Sequence, residues 1–105
     1  MAQFTVFRNV NARSKATFPL LVDVQSDLLD ELQTRVVIPL SKIAALTKRP
    51  VSQLTPLLQF EGVSYVLVTP QLAGVATNEL GPATGSLADQ RTAILAALDF
   101  LLLGF

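Results

Sequence analysis

Four carboxylates stand close together in the sequence, Asp23, Asp27, Asp30 and Glu31, and two carboxyl groups can share acid and base work when their surroundings separate their pKa values. No matched second group accompanies them, so the simpler reading is a solvated turn in which short acids cap backbone donors. Ser and Thr are plentiful, yet the chain has no His to serve as base and no G-x-S-x-G elbow to raise a nucleophile. Cys is absent too, which removes thiol chemistry and disulfides and, with His missing, the usual zinc and copper ligand sets. The five glycines form no phosphate-binding loop. These residues assign no catalytic group, no metal and no cofactor.

At 105 residues the chain is a single domain, 1–105, near the size at which a second subunit becomes useful for burying apolar surface. Half of it is apolar and 15% is charged, so an exposed apolar patch is expected, of the kind that marks a partner site or an oligomer interface. Eight basic residues balance eight acidic ones, and the long-range field that draws proteins to phosphate backbones is missing. Direct nucleic-acid binding is therefore disfavoured. The opening, MAQFTVFRNVNAR, lacks the charged lead and unbroken apolar run of a signal peptide. Ala93 to Phe105 is broken by Asp99 and falls short of the roughly 20 residues a membrane-spanning helix needs. A soluble, cytoplasmic protein is expected.

The elements that must position any binding surface follow from periodicity. Gln3 to Arg8 alternates, with Phe4 and Val6 on one face and Phe7 as the apolar exception on the other. Asn9 to Lys15 reads as a mobile polar connection. Leu20 to Val24 and the β-branched run Arg35 to Leu40 predict paired strands, the second buried on both sides and closed by Pro39. Between them, Ser26-Asp27-Leu28-Leu29-Asp30 predicts a capped turn that sends two leucines outward or under the sheet. Ser41 to Leu46 has an N-cap residue and helix formers, ended by Arg49-Pro50. Leu57 to Phe60 and Val63 to Thr69 around Glu61-Gly62 predict a hairpin, Gly74 to Ala76 a further short strand, and Gly81 to Gly85 a loop. Ser86-Leu87-Ala88-Asp89 resembles a capping box that opens a helix to about Leu103, with Leu87, Ile94, Leu98 and Leu101 on one stripe. The fold class is mainly β with a C-terminal α-helix, either a small barrel or an antiparallel sheet with a helix packed on it.

One stretch is more specific than this pattern. LVDVQSDLLDELQTRVVIPL, from Leu21 to Leu40, together with the QFTVF opening and the apolar Gly-Phe end, resembles the CcdB family of bacterial toxins over essentially the whole chain. That resemblance implies an SH3-like partly open barrel, shared with the MazF-like ribonuclease toxins, and a twofold homodimer. It also implies a toxin of a type II toxin–antitoxin pair that is not an enzyme. Such a toxin binds the A subunit of DNA gyrase and traps the cleaved complex, and a cognate CcdA-like antitoxin neutralises it.

Carried over position by position, the resemblance places the gyrase-binding residues at Leu103, Gly104 and Phe105 on the final turn, Asp99 on the helix, Gln3, Phe4 and Phe7 on the first strand, and Ser26 and Leu28 after LVDVQ. The best-known plasmid members end in Trp-Gly-Ile, so Leu103 stands in place of an aromatic ring that can stack on a guanidinium. Phe105 is the candidate to supply that ring. Read without the family, Leu102, Leu103 and Phe105 would complete the core or a dimer seam, the commoner fate of apolar helical residues. Asp99, amid apolar neighbours, is expected to face solvent or a cation on the target, because burial without a partner is costly. Two other functions fit the same barrel. A MazF-like mRNA endonuclease would use Arg with Thr or Ser, and Arg13, Arg35 and Arg49 are available, but neutral net charge argues against a basic RNA groove. A non-toxic homologue would keep only dimerisation and antitoxin binding, which the Leu103 substitution makes plausible.

Overall fold

Strand β3, Thr34–Lys42, carries neighbours on both edges and sets the shape of the molecule. The computed structural model describes residues 2–42 and 53–105. Around β3 lie β1 (Thr5–Arg8), β2 (Leu20–Asp23), β4 (Leu57–Phe60), β5 (Val63–Leu67), β6 (Ala73–Ala76) and β7 (Ala83–Ser86), followed by the single α-helix of the described residues, α1 (Arg91–Leu103). The sheet is antiparallel, ordered β4-β5-β3-β2-β1-β7, with β6 joining β3 beside β5. It curls into a half-barrel, as the resemblance implies.

On one edge β3 pairs with β2 over Val37 to Leu40; on the other it pairs first with β6, through Thr34 to Val37, and then with β5, from Leu40 to Lys42. Pro39 sits at that changeover. Its missing N–H would point to the side where one ladder has ended and the next has not begun, so no ladder bond is lost, and its carbonyl still accepts from the Val68 N–H at 2.9 Å. A proline expected to close the strand is instead accommodated inside it, and β3 runs on through Ser41 and Lys42. The helix expected from Ser41 is therefore strand at its first two residues, and the rest of that prediction lies outside the described residues.

Cross-strand rows make the core. Val6, Val22 and Ile38 lie opposite one another on β1, β2 and β3, and Leu20, Leu40 and Leu67 form the next row on β2, β3 and β5. All six are buried, together with Phe4, Leu58, Phe60 and Tyr65, and α1 closes the layer with Ile94 and Ala97. Phe7, Leu21 and Pro39 form a row on the opposite sheet face. Phe7 is buried there too, so the apolar exception of the first strand is covered.

The 9–15 segment differs from the mobile connection that its polarity predicts. The Asn9 side chain donates to Ser14 Oγ and to the Phe18 carbonyl, and Asn9 and Asn11 each accept a backbone N–H two residues on. The same Asn residues that read as flexible supply the bonds that order the loop.

The Leu57–Leu67 hairpin forms as expected, its turn held by positive φ at both Glu61 and Gly62. The loop expected over 81–85 is strand β7 from Ala83 onward, because small exposed residues give no alternation signal while the edge of β1 still offers a ladder. The end strands β4 and β7 meet without a ladder, at the mouth of the half-barrel. There the Phe60 ring fills the space over Gly85, where a Cβ would lie 2.8 Å from the ring tip. The Gln90 amide spans the same mouth, donating to the Gln59 carbonyl at 2.7 Å and accepting the Gln59 N–H at 3.0 Å. Gln90 thus acts as a one-residue strand on the exposed edge of β4. The capping box is also replaced: Ser86 Oγ accepts the Ala88 N–H, a 3₁₀ turn runs over Ala88–Gln90, and α1 starts at Arg91.

This mouth predicts a specific overpacking effect. Gly85→Ala should lower the free energy of urea unfolding by about 1–3 kcal/mol, and adding Phe60→Leu should recover part of that loss. Full stability in Gly85→Ala alone would show that the ring does not close the mouth.

Candidate functional site

Two surfaces gather the residues singled out from the sequence. The first is the corner where β1 begins and β2 ends. Its foundation is a buried ion pair: Arg35 Nε lies 2.7 Å from Asp23 Oδ2, and both side chains are fully enclosed. The Asp23 carboxylate also accepts the Gln25 N–H at 2.9 Å, and the Arg35 fork reaches the Gln25 carbonyl and Asp30 Oδ1. Gln25 in turn donates to the Leu29 carbonyl and accepts the Val36 N–H, each at 3.0 Å. Each side-chain nitrogen and oxygen of the buried pair has a hydrogen-bond partner, which is what an ion pair needs to survive outside water.

Onto this foundation the chain folds Gln3, Phe4, Ser26 and Leu28. Phe4 has φ of +70°, a left-handed conformation that is unusual for a bulky residue and costs on the order of 1–3 kcal/mol. Its N–H donates to the Asp23 carbonyl at 2.6 Å and its carbonyl accepts the Leu87 N–H at 2.8 Å, so both neighbours fix the turn. That turn aims Gln3 at the loop after β2, where its N–H meets Asp27 Oδ1 at 2.7 Å and its amide donates to the Val24 carbonyl. Ser26 Oγ accepts the Leu28 N–H and caps a 3₁₀ turn over Asp27–Leu29. Leu28 at its tip is 94% exposed, and Leu29 and Leu32 beside it are about half exposed. Of the outward and under-sheet alternatives for these leucines, the outward one holds.

The second surface is the end of α1. Ile94 and Ala97 anchor the helix, while its end is exposed, with Leu102 at 74%, Leu103 at 62% and Phe105 beyond it at 84%. Gly104 ends the helix in the left-handed conformation, φ +81°, with its N–H donating to the Phe100 carbonyl at 3.0 Å. That geometry suits glycine, which carries no Cβ penalty there. Asp99 is exposed on the solvent side of the same helix. Phe4 and Phe7, by contrast, are interior: they support the corner and the outer sheet face without presenting their rings in the isolated subunit.

Three of the four clustered acids are committed to structure, with Asp23 and Asp30 on Arg35 and Asp27 on Gln3. Arg35 is buried beneath the loop and so offers nothing to an RNA backbone, and Arg49 lies outside the described residues. A groove of about 190 Å³ opens on the outer sheet face between the 9–18 loop and Leu21, Val37, Pro39, Ala73 and Val75. Its lining is uncharged and holds no acid–base pair. Among the described residues no helix is long and apolar enough to cross a membrane. Sequence reasoning missed Gln25 altogether and considered Arg35 only as a residue for RNA cleavage, not as the partner of Asp23. Their one signal was a charged or amide residue at each end of an apolar run, Asp23 between Val22 and Val24 and Arg35 ahead of VVI.

The sequence model of a family described as CcdB protein matches residues 3–104 of the chain. The chain belongs to the CcdB family, which comprises gyrase-targeting toxins of toxin–antitoxin pairs rather than catalysts.

These burial patterns separate presentation from packing. Leu103→Ala and Phe105→Ala should each leave the free energy of urea unfolding within about 0.5 kcal/mol of the parent. Arg35→Ala, which strands the buried Asp23 carboxylate, should cost about 3–5 kcal/mol. A large loss from either tail variant would identify the tail as core.

Proposed function

We propose that this member of the CcdB family is a type II toxin that binds the DNA gyrase A subunit as a homodimer and traps the cleaved DNA complex. The observation that carries the reading is the exposed apolar end of α1, with Leu102, Leu103 and Phe105 held out on a capped helix. Apolar residues that contribute nothing to their own core signal a covered surface in use. An aromatic at a fixed position is the residue type that dominates interface energetics once desolvated. Phe105 takes the part that a tryptophan plays in the plasmid members, and Asp99 offers a charge to a cation on the target. The corner bearing Gln3, Ser26 and Leu28 supplies the second contact, with Phe4 and Phe7 as its internal support.

No bond need be made or broken by the toxin. A ligand that prefers the open, cleaved gyrase over the resealed one shifts the population toward it by its difference in affinity alone. Gyrase places the action in the cytoplasm. A cognate antitoxin with a flexible carboxy-terminal segment would fold onto the toxin and draw it from gyrase.

Purified protein added to gyrase, supercoiled plasmid and ATP, followed by detergent and protease, should leave linear DNA. Phe105→Ala should weaken gyrase binding by about 30-fold or more, the scale of a hot-spot residue. Linear product at parental levels from Phe105→Ala would remove that residue from the contact. Absence of linear DNA with the parent protein, with growth unaffected on induction, would favour the non-toxic homologue.

A further inference from the structure

The loop between β2 and β3 poses a physical problem. From Ser26 to Thr34 no residue is buried, yet Leu28, Leu29 and Leu32 all stand substantially exposed. With no core beneath them, these leucines cannot hold the loop in shape by packing. What holds it is polar: the Arg35 fork spans the loop from Asp23 Oδ2 before it, at 2.7 Å, to Asp30 Oδ1 within it, at 3.2 Å, and touches the Gln25 carbonyl at 3.3 Å. Gln25 passes the constraint onward through its amide to the Leu29 carbonyl and the Val36 N–H.

A fully buried ion pair is a poor source of stability, since apolar residues of similar volume serve a core as well or better; its attested use is to fix one arrangement among several. Here the arrangement fixed is the path of the loop. We propose that Arg35 and Gln25 are positioning residues that pre-order the Asp27–Leu32 loop so that Leu28 is presented as a rigid apolar tip to the gyrase A subunit. The proposal rests on the gyrase reading for its partner, while the tether itself is a property of this chain. Ordering the loop before contact removes an entropy cost that the complex would otherwise carry. Arg35 is needed as a fork: a lysine keeps the charge but cannot engage two carboxylates and a carbonyl from one planar group.

The test compares the parent with Arg35→Lys, Gln25→Met, the neutral pair Asp23→Asn with Arg35→Met, and Leu28→Ala. Circular dichroism and thermal melting establish which variants fold, and the neutral pair removes both charges so that neither is stranded. In folded tether variants, amides from Leu28 to Leu32 should exchange at least tenfold faster while those of Val22, Ile38 and Leu40 keep parental protection. The concentration giving half-maximal linear DNA should rise at least tenfold. Leu28→Ala should raise that concentration without changing exchange. Gln25→Met leaves the ion pair in place and decides the matter if both Arg35 variants fail to fold. Unchanged loop exchange, or faster exchange with parental potency, would overturn the proposal. A parent protein that produces no linear DNA would sink the gyrase reading, and the exchange rates would still rule on the tether.

Discussion

Strand β3 has to satisfy three neighbours, and that constraint organises everything else. Its β-branched centre is enclosed between β2 on one edge and β6 followed by β5 on the other, so the sheet bends around it. The bend brings the two end strands to the mouth where the Phe60 ring covers Gly85 and the Gln90 amide completes the edge of β4. At the start of the same strand, Arg35 reaches across to Asp23 and ties down the loop that leads into β3. Core, mouth and loop are thus consequences of one strand's pairing.

Because that pairing uses the apolar residues of the strands so fully, little is left for the helix to cover. Ile94 and Ala97 seat α1, with Ala93 and Leu98 packed half-buried beside them, and the apolar residues from Leu101 onward project. A small chain with half its residues apolar cannot hide them all. What distinguishes this one is that the surplus is concentrated at a capped helix end and at the tip of one tethered loop. In the proposed function both surfaces would meet gyrase.

Much of this was legible from residue order. The apolar-rich segments TVFR and LLVD, the β-branched run of β3 and the Glu61-Gly62 turn each carry a local signal that tertiary structure kept. What was not legible depended on partners far along the chain. Strand β7 has the sequence ATGS, which becomes a strand only because β1 offers an edge. Pro39 reads as a stop until the change from β6 to β5 shows that its missing donor is not needed. Ser86 and Asp89 have capping-box spacing, but the first turn tightens to 3₁₀ and leaves the box open. Of the candidate site, Leu103, Phe105, Asp99 and Leu28 stand exposed, whereas Phe4 and Phe7 are interior and the left-handed turn at Phe4 left no mark in the sequence.

The proposed function makes the terminal turn of α1 a docking surface for gyrase. Methyl and amide NMR of the protein titrated with the dimerisation region of the gyrase A subunit tests it most directly. Signals from Leu101 to Phe105 should shift and broaden first, together with that of Leu28, while the outer sheet face around Leu21 and Val75 stays unchanged. Binding that leaves Leu103 and Phe105 at their free positions would contradict it.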